Sequence, residues 1–69
     1  MPKRYSTRDI ERVLLARGFM CVSQRGSHTK LTNGPLTVIL PAGRDVIRAG
    51  TFASILRQSG LSASDFDAR

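Results

Sequence analysis

The chain holds one histidine, His28, and it lies in the stretch Gln24-Arg25-Gly26-Ser27-His28-Thr29-Lys30. An imidazole titrates near neutral pH, so it can take and return a proton where most side chains cannot. The neighbours are chosen well for an anion. Arg25 and Lys30 bring positive charge, the Ser27 hydroxyl can donate to an oxygen, and Gly26 lets another backbone or a ligand come close. Each also has a plain structural reading. Arg25 and Lys30 fit a solvated basic surface, Gly26 a turn, Ser27 a hydroxyl bonded to its own turn, and His28 a strand histidine satisfied by a backbone carbonyl. Spacing alone leaves both readings open.

Metal chemistry finds no ligand set here, because one cysteine, Cys21, and one histidine cannot assemble the usual spacing; no cofactor is expected. Eleven Lys and Arg against five Asp and Glu give a net charge of +6. Such a balance favours polyanions, since each phosphate neutralised releases condensed counter-ions. Sixty-nine residues allow one domain, 1–69, with a modest core, and too little chain to enclose a small metabolite. The lone cysteine reads as a cytosolic, cytoplasmic chain without a disulfide. No apolar stretch is long enough to span a bilayer, and Met1-Pro2-Lys3-Arg4-Tyr5 leads into a polar segment, not a signal-peptide core, so no membrane partner is expected.

The elements that must position these residues follow from periodicity. Ser6 with Asp9 three residues on resembles a capping box, and Ile10, Val13 and Leu14 then share a helical face up to the stop at Gly18; the spacing predicts a helix over Thr7 to Arg17. Phe19-Met20-Cys21-Val22 reads as a buried strand ending near Gln24, with a turn at Arg25-Gly26-Ser27. His28 to Thr32 resumes extended chain. Asn33-Gly34 signals a hairpin, with Pro35 at the start of the strand that carries Leu36 to Leu40. Pro41 to Gly50, with Arg44 and Arg48, is a polar, basic loop. Thr51 is the expected cap of a second helix in which Phe52, Ile55 and Leu56 share a face and which Gly60 ends. In the tail, Ser62 is a candidate cap and Phe66 the only large anchor. The order is helix, three antiparallel strands, helix. An α+β fold with both helices on one face of a three-stranded sheet buries every apolar stripe and leaves the other face open.

Three segments in this order carry a resemblance that covers nearly the whole chain: Arg17-Gly18-Phe19 closing the first helix, Gln24-Arg25-Gly26-Ser27-His28 at the strand turn, and Gly50-Thr51-Phe52-Ala53-Ser54-Ile55-Leu56-Arg57-Gln58-Ser59-Gly60-Leu61 around the second helix. In these the chain resembles the HicA-type toxins of prokaryotic toxin–antitoxin pairs. The resemblance implies a double-stranded-RNA-binding-domain-like fold, an mRNA-cutting activity (an mRNA interferase), a HicB-like antitoxin as partner, and catalysis by the histidine of the Gly-Ser-His motif, here His28. Physically, RNA can be cut without a metal by using its own 2′-hydroxyl, given a base for that proton and groups that stabilise the phosphorane charge. Arg25, Gly26, Ser27, Lys30, Arg44 and Arg48 are the candidate RNA-binding residues, and Arg57 and Gln58 are placed to follow the backbone.

One departure stands out. Many HicA-like chains carry a further histidine in the loop after the third strand, whereas Pro41-Ala42-Gly43-Arg44 has none. A two-histidine mechanism is therefore excluded, and the leaving oxygen must take its proton from water, Lys30, Arg44 or His28 in a second step. Two rivals share this fold: an RNA-binding module in which His28 stacks or hydrogen-bonds without proton transfer, and an adaptor whose positive charge serves an acidic protein partner.

Overall fold

The computed structural model describes residues 4–67. The elements run α1 (Thr7–Ala16), β1 (Met20–Arg25), β2 (His28–Thr32), β3 (Thr37–Pro41), α2 (Ala49–Ser59) and α3 (Ala63–Asp67). The sheet is antiparallel in the order β1-β2-β3, giving the expected α+β architecture.

Helix α1 begins where its sequence says it should. The Ser6 hydroxyl accepts from the Asp9 backbone N–H and the Asp9 carboxylate accepts from the Ser6 backbone N–H, both at 3.1 Å, a complete capping box. Ile10, Val13 and Leu14 are its buried stripe. It stops because Gly18 adopts φ +91°, a conformation that a Cβ would strain. The Phe19 N–H then reaches the Leu14 carbonyl at 3.0 Å and the Gly18 N–H the Leu15 carbonyl at 3.2 Å, closing a Schellman motif. This reversal drops the Phe19 ring into the core.

The inner sheet face is made by Thr29 and Leu31 of β2 and Val38 and Leu40 of β3, all buried. Alternation sends His28 and Lys30 of β2 and Ile39 of β3 to the opposite, uncovered face. Strand β1 departs from expectation. The run Met20-Cys21-Val22 is not buried; every residue from Met20 to Arg25 is exposed, and of the expected apolar strand only Phe19 is inside. The reason is position. β1 is an edge strand, while the helices pack mainly against β3 at the other edge, and a register shift between Cys21 and Ser23 further breaks its alternation.

The second hairpin is longer than a two-residue turn. Thr32 pairs with Thr37, so Asn33 to Leu36 all lie in the loop, held by the Asn33 side chain accepting from the Leu36 N–H at 2.8 Å and the Thr32 hydroxyl accepting from the Gly34 N–H at 3.1 Å. Pro35 and Leu36 thus precede the strand and do not start it. Thr51 is likewise not the cap of α2. Helix α2 starts earlier, with Arg48 at the cap position making no side-chain cap bond and its carbonyl accepting from the Phe52 N–H at 2.8 Å; Thr51 falls in the first turn. Ile55 of α2 is fully buried, and Phe52 and Leu56 pack partly buried against the same core.

The tail forms a short third helix, α3, which the spacing does not announce. The Ser62 N–H and hydroxyl both donate to the Asp65 carboxylate, at 2.8 and 3.1 Å, and Arg17 meets its other oxygen at 2.9 Å. The Ser62 bonds first and the Arg17 charge after them hold this carboxyl below its usual value of 3.8. Phe66 is fully buried in an aromatic cluster with Tyr5 and Phe52, at ring-centroid separations of 6.1 and 5.3 Å, and the Tyr5 hydroxyl bonds Asp67. Among the described residues, no helix is long and apolar enough to cross a membrane.

Candidate nucleic-acid interface

His28 opens β2 directly after a two-residue turn, with Arg25 paired to it across β1 and Pro41 across β3. The turn works because Gly26 takes φ +54°, the positive value that the first central position of such hairpins demands. Directly opposite residues share a sheet face, so Arg25, His28 and Pro41 form one row on the open side and Ser23, Lys30 and Ile39 the next. The Ser27 hydroxyl lies 3.5 Å from His28 Nδ1, at the outer limit of a hydrogen bond, and Nε2 has no partner among the described residues.

Three concavities meet at this ring. One, of about 400 Å³, is bounded by His28, Pro41, Arg44, Arg48 and Thr51. A second, of about 380 Å³, lies between His28 and Ile39 on the sheet and Thr51, Ser54 and Gln58 on α2. A third, of about 370 Å³, runs over the sheet between Ser23, Arg25, His28, Lys30 and Ile39. Among the described residues, no acidic side chain lines any of them.

The basic loop is held to the rest by a clasp that composition does not reveal. The Thr7 hydroxyl donates to the Pro41 carbonyl at 2.7 Å and accepts from the Arg44 N–H at 2.9 Å, while the Thr7 N–H donates to the Arg44 carbonyl at 2.9 Å. The Ala42 N–H reaches the Ser27 carbonyl and the Ile47 N–H the Tyr5 carbonyl, both at 2.7 Å. Arg44 and Arg48 are thereby carried to the rim of the His28 cavity although they are distant in sequence.

Of the expected site residues, the fold brings His28, Arg44 and Arg48 to one cavity and His28, Arg25 and Lys30 to another. Ser27 touches the imidazole from the turn. Gly26 lines none of the three cavities, and its conformation accounts for its presence. Gln58 is not free to follow a nucleic-acid backbone, because its amide is bonded to the Ile39 N–H and to Ser54. Arg57 lies outside the three cavities. Thr51 and Ser54, which are not among the expected residues, line the second cavity as well. Their spacing with Gln58, i, i+3 and i+7 on α2, is the signal that places all three on one face. Among the described residues, no group of three His, Cys, Asp or Glu side chains is clustered to hold a metal ion.

The structure defines a small α+β domain with helices behind a three-stranded antiparallel sheet and an open face that is basic around one histidine. Comparison with known families narrows this. The family described as HicA toxin of bacterial toxin-antitoxin matches residues 7–61, and the chain belongs to that family. It is therefore a toxin of a toxin–antitoxin system, and the family implies a cognate antitoxin as its partner. No curated protein matches the chain.

Proposed function

We propose that this toxin is a metal-independent endoribonuclease that cleaves mRNA, with His28 as its general acid/base and residues 1–69 acting as one unit. The observation that carries the reading is the convergence of three cavities on His28, lined among the described residues by Arg25, Lys30, Arg44 and Arg48 and by no acid. His28 takes the proton of a ribose 2′-hydroxyl; the 2′-oxygen bonds to phosphorus as the bond to the 5′-oxygen breaks. The products are a 2′,3′-cyclic phosphate and a 5′-hydroxyl, the latter protonated by water or by the imidazolium. Arg44 and Arg48 on one side and Arg25 and Lys30 on the other offset the charge of the scissile and flanking phosphates, with Ser27 holding the imidazole. A HicB-like antitoxin would silence the protein by covering this face.

The long Ser27 contact, at the limit of a hydrogen bond, favours the second reading, an RNA-binding module without proton transfer. RNA cleavage in chelator-containing buffer separates the two. The wild type is expected to cut, and folded His28→Ala to bind RNA without cutting. Equal cutting by both, or by neither, rejects His28 catalysis; RNA binding by both without cutting leaves the binding module, and no RNA binding at all leaves an adaptor for an acidic protein.

A further inference from the structure

Helix α2 presents to the His28 cavity a side chain whose hydrogen-bonding polarity is set from outside. The Gln58 amide is bonded at both ends: Oε1 accepts from the Ile39 backbone N–H at 2.8 Å and Nε2 donates to Ser54 Oγ at 2.8 Å. A backbone N–H can only donate, so it can meet only the amide oxygen, and the NH₂ end must face Ser54. The Ser54 oxygen is then an acceptor, which leaves the hydroxyl proton as the group's own donor. A helical serine commonly donates to the carbonyl four residues back; among the described residues Ser54 makes no such bond and has Gln58 as its partner. Ser54 lines the cavity of about 380 Å³ together with His28 and Thr51. Thr51 and His28 also line the cavity that holds Arg44 and Arg48. A hydroxyl donor facing His28 across a cavity that no acid lines among the described residues, and that shares His28 and Thr51 with the cavity holding Arg44 and Arg48, suits an anionic oxygen.

We infer that Ser54 contacts the substrate, donating to a non-bridging oxygen of the phosphodiester held at His28, and that Gln58 is the positioning residue that keeps the serine proton available. This rests on the nuclease reading and adds to it a phosphate contact from α2, set across the cavity from the sheet. The Gln58 amide also covers the free edge of β3 at Ile39, so one side chain both joins helix to sheet and orients the donor.

The test uses an RNA cut by the wild type at one mapped linkage, synthesised with a single phosphorothioate there in each stereoisomer. Sulfur accepts hydrogen bonds poorly. The wild type is expected to cut one stereoisomer about tenfold more slowly than the other, the loss of one hydrogen bond to a charged oxygen. Ser54→Ala, which does not lower helix propensity, is expected to lose a similar factor on the all-oxygen RNA and to discriminate no longer, and Ser54→Thr to restore both. In Gln58→Glu the carboxylate still accepts from Ile39 but cannot donate to Ser54, whose proton turns toward it; stereoselectivity is expected to vanish while thermal melting shows a folded protein. Wild-type rate and selectivity in Ser54→Ala, or no selectivity in the wild type, overturns the inference and leaves the nuclease reading intact. A wild type that does not cut RNA, or His28→Ala that cuts as well, overturns both.

Discussion

On the outer face of the sheet and at its rim, Arg25, Lys30, Arg44 and Arg48 make no ion pair among the described residues, whereas the helical layer behind it places three of its acids beside partners. There Asp9 serves the cap of α1, Asp65 meets Ser62 and Arg17, and Asp67 takes the Tyr5 hydroxyl. The two regions differ in aromatic content as well. Tyr5, Phe19 and Phe66 are buried and Phe52 packs against the same core, which leaves His28 as the exposed ring of the open face. Packing is thus concentrated in one layer and positive charge without ion pairs, among the described residues, in the other. A partner on the open face would meet charge, hydroxyls, one imidazole and the aliphatic side chains of Ile39 and Pro41, and little aromatic surface on which bases could stack.

The comparison breaks most visibly if a change in one layer is felt in the other. His28→Ala is expected to lower RNA cleavage by about 10²–10⁴-fold, the range for a lost general base, with an unchanged urea midpoint, because the ring is exposed and bonded only weakly to Ser27. Phe66→Ala has the reverse expectation: a loss of about 3–5 kcal/mol in urea unfolding, most of the stability of so small a domain, with cleavage per folded molecule retained. A fall in melting temperature for the first, or full stability for the second, would show that the layers are not separate in this way.

Smaller effects sharpen the same division. Arg44→Ala and Arg48→Ala should each weaken RNA binding and reduce the slope of log affinity against log salt by about 0.7, the value for one single-strand phosphate; an unchanged slope would place these residues off the RNA path. The smallest expected effect is in the helical layer. The Asp65 carboxyl is held below 3.8 in the folded chain, so its contribution is present above that value and is lost as pH falls through the lower folded one. Asp65→Asn should lower the urea midpoint slightly above about pH 5, where the carboxylate contributes, leave it unaltered at the acid end, and so flatten this limb. A wild-type limb that is already flat would remove Asp65 from the account.

How far the sequence was legible follows the same line. Local signals read well: the Ser6–Asp9 box, the Gly18 stop and the Gly60 end of α2 each rest on backbone needs within a few residues. The nearness of Arg25 and Lys30 to His28 was legible from their spacing, since all three lie on one hairpin. What failed depended on neighbours distant in sequence. Met20-Cys21-Val22 has the composition of a buried strand, and only its edge position keeps it in solvent. Thr51 looks like a cap until Arg48 is seen to take that place. Thr7 passes for an ordinary first-turn residue, yet it ties the arginine loop to α1, and the Ser54–Gln58 pair acquires meaning only from the Ile39 N–H across the layer.

Strand β1 has a further consequence, for behaviour at high concentration. Its outer side pairs with no strand, and Met20 and Val22 are exposed upon it, which makes it a template on which another chain could add by backbone pairing and begin to aggregate. The register shift between Cys21 and Ser23 interrupts that template halfway. Arg25 closes its end with a charge, and at +6 any two copies repel as they approach. Removing the bulge or neutralising the surface would therefore cost solubility before it cost fold.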